Sequence, residues 1–352
     1  MVRFVNPRRH PPFHMHDMIR AQPKFVGGTI HRLRMQSARS FLGSAVHIVA
    51  TGCGTSFHAA QYGARILAVA IGPPARVEAI QAYDLLHGPR VDSKTVVLGV
   101  SHSGNTSTTN RAMSRAARAG ATVLGICGLA DTSLAEIADR TLVIGETQDR
   151  SWANTMSYTT QLTAFACLAS DLGGPAWRGV GRDLTRLPAL LRKALSCEPA
   201  VRRLSRKVAA RKRVTFLGSG LDEITALEAA LKIRETCSLT ASGYHIEQFL
   251  HGPFLSLDRG DAIVALRSRG DGDRADAILD GLARAGASVT TIGDGHGARI
   301  PLPTIHPVLR PIIGVVPLQF LAYYAALERG VNPDIMRSDV ARYRPALEVL
   351  FS

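Results

Sequence analysis

Short apolar runs alternate with helical patterns through the first half of the chain. Five runs are apolar enough to be buried β-strands, at 46–50, 76–80, 96–100, 123–126 and 142–144. Helical periodicity follows two of them, at 56–70 and 106–119. Strands that alternate with helices in this way form a parallel sheet covered on both faces, so the pattern predicts an α/β domain.

The pattern restarts in the second half. Strand candidates lie at 214–217, 262–266 and 288–292, with a helical stretch at 222–236. Gly218-Ser219-Gly220 follows the first of these strands, as Gly52-Cys53-Gly54 follows the strand at 46–50. This weak internal repeat predicts two copies of one α/β unit. The parts we expect are an N-terminal arm and entry helix (1–30), a first domain (31–175), a connecting segment (176–205), a second domain (206–330) and a C-terminal tail (331–352).

Hydroxyl side chains are concentrated in two turns that follow strands of the first domain. Thr55 and Ser56 lie in one turn, and Ser101, Ser103 and Thr106 lie in the other. The carboxyl ends of parallel strands meet at one sheet edge, where helix N-termini offer unpaired N–H groups to anions. The turns therefore predict a phosphate site made of neutral donors, although simple helix N-capping uses the same residue types.

The charge balance of the chain is strongly basic, with a formal net charge of +14 over 352 residues. Only six of the basic residues are Lys, and the rest are Arg scattered along the chain. The densest run, at 201–213, has the pattern of a solvated helix face, and no nucleic-acid-binding motif accompanies it. We therefore expect a small anionic substrate and no nucleic-acid partner.

Cysteine usage and apolar run length indicate the compartment. The five cysteines are far apart and lack CxxC spacing, so we expect neither disulfides nor a metal site. The N-terminal segment has no apolar signal region, and we expect no run of membrane-spanning length. These features predict a cytoplasmic protein that does not contact a membrane.

Several segments resemble one known family. The turn at 53–56, the loop at 101–106 and the segment 155–161 resemble the sugar-phosphate loops of the isomerase half of glucosamine-6-phosphate synthase and its stand-alone SIS-domain relatives. Segments 16–23, 226–235, 251–253 and 316–319 match the family's entry helix, second domain and last helix. The resemblance implies two tandem SIS domains, each a flavodoxin-like three-layer sandwich, that bind a phosphosugar without a cofactor or metal.

The resemblance also implies roles for individual residues. Glu235 matches the carboxylate that moves a proton between C1 and C2, with Lys232 beside it. His251 matches the imidazole that opens the sugar ring from a partner subunit, which implies a homodimer. Buried carboxylates and imidazoles suit these roles, although Glu235 pairing with Lys232, or His251 bonding loop backbone, would be purely structural. The remaining candidates for sugar contacts are Cys53, Gly54, His102, Trp152, Asn154 and Arg342.

Three features depart from the family pattern. The chain lacks an N-terminal cysteine nucleophile, so we expect it to use free ammonia, to deaminate, or to take ammonia from a partner. No lysine follows Lys232, and Arg342 near the expected place of the Schiff-base lysine cannot attack a carbonyl. Lys232 could replace that lysine only with a lowered pKa. Trp152 and Asn154 stand where the sugar loop has smaller residues.

The leading hypothesis is an enzyme that isomerises and deaminates (or aminates) a hexosamine phosphate of the glucosamine 6-phosphate type. The alternatives are a deglycase of fructose–amine 6-phosphates, an isomerase of a non-amino sugar and a non-catalytic sugar-phosphate binding protein. Since the second-domain loop at 268–273 lacks the hydroxyl pattern, we expect one phosphosugar site per subunit.

Overall fold

The computed structural model describes residues 7–34, 42, 45–88 and 91–350. These residues contain two five-stranded sheets in which all strands are parallel. The first sheet contains β1 (His47–Thr51), β2 (Arg76–Ala79), β3 (Thr95–Ser101), β4 (Thr122–Cys127) and β5 (Arg140–Val143). The second contains β6 (Arg213–Gly218), β7 (Thr240–His245), β8 (Ala262–Arg267), β9 (Ser288–Gly293) and β10 (Ile300–Pro301).

Helices cover the sheets and join them. In the first half they are α1 (His14–Arg34), α2 (Thr55–Ile71), α3 (Ala82–His87), α4 (Ser107–Arg118), α5 (Ser133–Ile137) and α6 (Met156–Leu172). The connecting helices are α7 (Arg178–Ala194) and α8 (Glu198–Ala209). The second half adds α9 (Asp222–Cys237), α10 (Ile246–Phe249), α11 (Gly272–Arg284), α12 (Arg310–Glu328) and α13 (Tyr343–Leu350).

The two sheets have the same strand order. The first runs β2-β1-β3-β4-β5, and the second, read from its other edge, runs β7-β6-β8-β9-β10. The turn after the first strand of each sheet is also the same, because Gly54 and Gly220 both have φ +54°. This left-handed conformation favours glycine. The predicted repeat of one α/β unit is therefore confirmed, together with its parallel sheets flanked by helices.

Each strand that the apolar runs predicted is present within a residue or two of its expected bounds. The pattern missed both edge strands of the second sheet: the two-residue β10, and β7, which reads Thr-Ala-Ser-Gly-Tyr-His and is largely half-buried. An edge strand buries less surface and needs fewer apolar residues, so its sequence resembles a loop.

One apolar helix corrects an expectation about run length. The segment Pro307–Glu328 is long and apolar enough to cross a membrane by length and composition, whereas the sequence pattern predicted no such run. In the folded chain 89% of its most apolar window is buried, and α12 packs against α8 and α9. It is therefore a core helix that joins the connecting segment to the second domain.

The first part of the tail is fastened to the entry helix. The carboxylate of Asp334 accepts hydrogen bonds from the backbone N–H groups of His14 (2.7 Å) and Met15 (3.0 Å) at the N-terminus of α1. Asp334 is almost fully buried, and its charge is favourable at the positive end of the helix dipole. The two ends of the described chain thus meet beside the first domain.

The contact between α2 and α6 leaves no room at Gly63. A Cβ at this position would lie 2.3 Å from the ring of Phe165, which is fully buried. We expect Gly63→Ala to lower the free energy of unfolding by about 1–3 kcal/mol, because the core cannot accept the extra methyl group. Gly281→Ala on exposed α11 is the control, since its Cβ meets nothing within 4 Å. The free energy of unfolding of Gly281→Ala should rise by up to about 1 kcal/mol, because alanine has the higher helix propensity. Urea denaturation measures the free energy of unfolding of both variants. Equal changes in the two variants would contradict the packing explanation.

Candidate functional site

A row of charged side chains on α9 lies between the two domains. Glu228, Lys232 and Glu235 are spaced by four and three residues and so lie on one face of the helix. The Lys232 ammonium is 3.3 Å from Glu228 and 2.6 Å from Glu235. The row packs against the N-terminus of α2, whose Thr55 hydroxyl donates to Glu228 (3.0 Å).

Lys232 is fully buried and bonded on all sides. Its ammonium donates to the Thr55 hydroxyl (2.9 Å), the carbonyl of Ala153 and the carboxylate of Glu235. Burial disfavours the charged form, but the carboxylates of Glu228 and Glu235 outweigh it and raise the pKa of Lys232. The condition for a nucleophilic lysine, a lowered pKa, is therefore not met, and Lys232 acts as a fixed cation.

The side chain of Glu235 retains access to solvent. Its side chain is 22% exposed, whereas the side chains of Glu228 and Lys232 are fully buried. Burial raises the pKa of Glu235, and the neighbouring Lys232 ammonium opposes that rise. A partly exposed carboxylate with a raised pKa beside a fixed cation has the properties of a group that takes up and returns a proton.

The sequence analysis missed two members of the cluster. Glu228 binds His58 of α2, with 2.7 Å between its Oε2 atom and the imidazole Nδ1. Burial raises the pKa of Glu228, but Lys232, His58 and Thr55 outweigh it, so the pKa lies below the usual value. The seven-residue spacing from Glu228 to Glu235 places both on one helix face and was an available signal. His58 could be recognised only from the folded structure, which brings α2 of the first domain against α9 of the second.

The hydroxyl turns lie side by side at the edge of the first sheet. Strands β1 and β3 are neighbours, and Thr51 at the end of β1 pairs with Gly99 near the end of β3. Within the second turn the hydroxyls of Ser101 and Thr106 are 3.1 Å apart, and Ser101 also accepts the N–H of Gly104 (3.1 Å). This turn leads into the N-terminus of α4, which adds its dipole to the hydroxyl donors.

The remaining hydroxyls of the turns have different surroundings. Ser103 accepts the N–H of Asn105 (3.3 Å), and Ser56 accepts from the side-chain amide of Gln161 (2.9 Å). Both serines are partly exposed, which leaves their hydroxyl hydrogens able to reach a ligand. Thr55 is different, because its single hydroxyl hydrogen goes to Glu228. Thr55 is thus a member of the charged cluster, and its predicted phosphate role stays a prediction.

His102 faces the interior of the first domain, and its predicted sugar contact stays a prediction. Its side chain is almost fully buried, and Nε2 lies 3.1 Å from the carbonyl oxygen of Thr147. Burial lowers the pKa of His102. Nearby Asp149, whose pKa burial raises, accepts the N–H groups of Ser151 (3.3 Å) and Ser157 (3.2 Å). Together His102 and Asp149 link the phosphate turn to the segment 147–157.

That segment, the sugar loop (147–157), carries the carbonyl of Ala153 that binds Lys232. Asn154 has φ +51°, and its side chain donates to the carbonyl of Trp152 (2.9 Å). Trp152 is partly exposed. Asn154 therefore shapes the loop by bonding within it, and the indole of Trp152 retains surface for a ligand.

Two buried glutamines hold the end of the sugar loop. Gln22 of α1 donates to Gln319 of α12 (2.5 Å), and Gln319 donates to the carbonyl of Thr155 (3.1 Å). Both glutamines are fully buried. Both glutamines lie in segments that matched the family pattern in sequence. The fold gives a structural role for that match, because the two side chains hold the end of the sugar loop in place.

The other predicted residues lie at varying distance from the cluster. Cys53 and Gly54 precede α2, and burial raises the pKa of the Cys53 thiol. His251 is 68% exposed and 3.9 Å from Glu247. Arg342 is exposed, 5.4 Å from the ring centroid of Tyr343. Among the residues that the structure describes, neither His251 nor Arg342 contacts the charged cluster, so their roles in the site stay predictions.

Residues 41–170 and 207–329 each match the family model of the SIS domain. The chain belongs to the SIS domain family. Two similar proteins are the isomerizing glutamine–fructose-6-phosphate aminotransferases of Thermococcus kodakarensis (30% identical) and Thermus thermophilus (31%). Each alignment covers 93% of this chain and 57% or 58% of the relative, so the chain spans less than three fifths of these relatives.

Solved structures share the tandem SIS fold. The C-terminal domain of glucosamine-fructose-6-phosphate aminotransferase from Francisella tularensis superimposes with a TM-score of 0.85 at 22% identity, over 93% of this chain and 98% of that one. Glucosamine-6-phosphate deaminase from Thermotoga maritima gives 0.78 at 20% identity, over 92% and 98%. At such identities the likeness establishes the fold.

The corresponding turn of the second SIS domain is filled by its own carboxylate. Asp271, which precedes α11, accepts the N–H of Ser268 (2.6 Å) and the hydroxyl of Ser219, and pairs with Arg267 (3.2 Å). In the first SIS domain the residue that precedes the equivalent helix is Thr106, a neutral donor. A fixed negative charge at this place repels phosphate, which supports one phosphosugar site per subunit.

Glu228 and Glu235 should affect stability in opposite ways. The pKa of Glu228 is lowered, so its ionised form stabilises the folded state above about pH 4.3, and this contribution is lost as the pH falls through the folded pKa. Glu228→Gln should therefore cost about 3–5 kcal/mol at pH 7, since it leaves buried Lys232 under-compensated. The cost should shrink below about pH 4.

Glu235 is the matched comparison on the same helix. Its pKa is raised, so its contribution is present below about pH 4.3 and lost as the pH rises through the folded pKa. Glu235→Gln should therefore cost less than Glu228→Gln at pH 7, with urea unfolding at several pH values as the measurement. A larger cost for Glu235→Gln at pH 7 would contradict the pKa directions.

Proposed function

We propose that this chain binds a phosphorylated amino sugar and catalyses aldose–ketose isomerisation coupled to deamination or amination, of the glucosamine 6-phosphate and fructose 6-phosphate type. The observation that carries the proposal is Glu235: a partly exposed carboxylate with a raised pKa, held 2.6 Å from a buried ammonium. The printed names of the relatives, isomerizing aminotransferases and a deaminase, support the same chemistry.

The phosphate is held by neutral donors. Ser101, Ser103, Thr106 and Ser56 supply hydroxyls, and the N-terminus of α4 supplies backbone N–H groups and its dipole. This arrangement leaves the cationic charge of the site on Lys232, close to Glu235. The phosphate then fixes the register of the sugar, so that its C1–C2 end reaches the charged cluster.

Glu235 carries out the proton transfer. In the deamination direction it removes the proton from C2 of the open-chain 2-amino aldose and returns it to C1, which converts the amine at C2 into an imine. Water adds to the imine and ammonia leaves, so glucosamine 6-phosphate and water give fructose 6-phosphate and ammonia. The fixed ammonium of Lys232 stabilises the negative charge that develops while the proton is on Glu235.

The nitrogen in this scheme belongs to the substrate. Lys232 keeps its proton because three acceptors surround it, so the enzyme forms no lysine Schiff base through this residue. The proposal also includes a homodimer in which the exposed His251 enters the partner's site and opens the sugar ring. Its 68% exposure is compatible with such a contact.

A second candidate is a deglycase of fructose–amine 6-phosphates. Partly exposed Trp152 favours it, because this residue directly precedes Ala153, whose carbonyl binds Lys232. An aromatic surface at this place suits an organic group on the amine better than free ammonia. The base would be the same, and the products would be glucose 6-phosphate and the amine.

The first test is ammonia release from glucosamine 6-phosphate. We expect equal amounts of ammonia and fructose 6-phosphate, with kcat lowered about 10²- to 10⁴-fold in Glu235→Gln because the base is lost. Coupled assays for both products provide the measurement. No product together with tight substrate binding would reject the deaminase, and release of glucose 6-phosphate from fructose–amine 6-phosphates would establish the deglycase.

The phosphate assignment has its own test. Ser101→Ala should raise KM about tenfold with little change in kcat, because one hydrogen bond to the charged phosphate is lost. Ser268→Ala is the matched control, since Ser268 lies directly after β8, in the turn of the second domain that corresponds to the turn after β3. Steady-state kinetics measures both variants. An equal rise in KM for Ser268→Ala, or none for Ser101→Ala, would contradict the single-site assignment.

A further inference from the structure

His58 lies one turn after Thr55 on α2 and faces α9 of the second domain. Its Nδ1 atom is 2.7 Å from Oε2 of Glu228, and its side chain is 15% exposed. A continuous chain of contacts therefore runs from His58 through Glu228 and Lys232 to Glu235.

Both carboxylate oxygens of Glu228 are occupied. Oε1 accepts from Thr55 and lies 3.3 Å from the Lys232 ammonium, while Oε2 has the imidazole as its partner. Lys232 is closer to Glu235, at 2.6 Å. An oxygen of Glu228 without the imidazole would be a buried acceptor with no donor, and the nearby ammonium is the group able to move toward it.

We propose that His58 is a positioning residue that satisfies Glu228 and so keeps the Lys232 ammonium on Glu235. The inference rests on the proposed role of Glu235 as the base. With the imidazole in place, the cation remains beside Glu235 and favours its ionised form. Without it, Lys232 shifts toward Glu228 and Glu235 holds its proton more tightly.

Other titratable groups on these helices are paired elsewhere or neutral: Asp222 of α9 pairs with Arg310 (2.6 Å), and Arg65 of α2 pairs with Glu223 (2.9 Å). The phenols of Tyr62 on α2 and Tyr158 on α6 are fully buried, and burial raises the pKa of each, so both stay neutral. The charged groups that face His58 are Glu228, Lys232 and Glu235 on α9.

The experiment compares His58→Ala with His58→Asn in the pH profile of kcat/KM for the proposed reaction. The alanine variant should move the acidic limb upward by about one pH unit and lower kcat about tenfold at pH 7, with KM nearly unchanged. The asparagine variant should retain most activity, because its amide nitrogen lies where Nδ1 lies and donates to Glu228. An unchanged acidic limb in His58→Ala would overturn the proposal.

His47→Ala is the matched control. His47 pairs with Glu78 at 2.8 Å, on strands of the same SIS domain and without a contact to α9 in the described chain. It should leave the pH profile unchanged. An equal shift in this control would show that loss of any such imidazole has the same effect, and would overturn the positioning role of His58.

A second measurement does not depend on activity. The melting temperatures of His58→Ala, Glu235→Gln and the double variant form a cycle. When Glu235 is neutral, Lys232 is free to move to Glu228, so His58→Ala should lower the melting temperature less in the Glu235→Gln background than in the wild type. Additive losses would overturn the proposal. A wild-type enzyme that is inactive on every substrate but shows this non-additivity would reject the proposed function and leave the positioning role in place.

Discussion

A buried ammonium group between the two SIS domains determines most of the site. An uncompensated charge in a protein interior is very costly, so Lys232 requires acceptors on every side. It obtains them from three separate parts of the chain: the carboxylates of α9, the hydroxyl of Thr55 on α2 and the carbonyl of Ala153 in the sugar loop. The orientation of the domains and the conformation of the loop are therefore parts of one electrostatic arrangement, and each of the three depends on the others.

The duplicated unit shows how one turn geometry serves two purposes. In both SIS domains a strand ends in a tight turn that leads into a helix N-terminus, which is a place that favours anions. The first domain presents Ser101 and Thr106 there, whose neutral hydroxyls leave the position open to an external anion. The second presents Asp271, whose carboxylate takes the same N–H and hydroxyl donors from within the chain. The residue before the helix, Thr106 in one domain and Asp271 in the other, thus separates the turn that we propose for phosphate from a turn closed by its own carboxylate.

The sequence predicted the strands, the repeat and the location of the hydroxyl turns because these depend on local patterns. Apolar runs locate buried strands, and parallel strands bring the turns after β1 and β3 to one sheet edge. The directions in which the side chains of these turns point could not be predicted in this way. Thr55 and Ser56 are neighbours in one turn, yet Thr55 bonds Glu228 while Ser56 bonds Gln161. His102 lies between two phosphate-turn serines, yet its ring is buried against the sugar loop. These directions are decided by partners more than 40 residues away, which no local pattern contains.

The charge state of Lys232 links the fold to the chemistry that the site is able to perform. A lysine that attacks a carbonyl must lose its proton, and burial alone would promote that loss. Here Glu228 and Glu235 reverse the effect, so the same burial that makes the ion pairs strong also prevents the lysine from acting as a nucleophile. Under the proposed function the reactive nitrogen therefore arrives with the substrate or as ammonia, and the protein contributes a base and a fixed cation. In that proposal Glu235 is the base because it alone of these three groups remains partly exposed, so proton transfer takes place at the rim of the cluster and charge stabilisation at its buried centre.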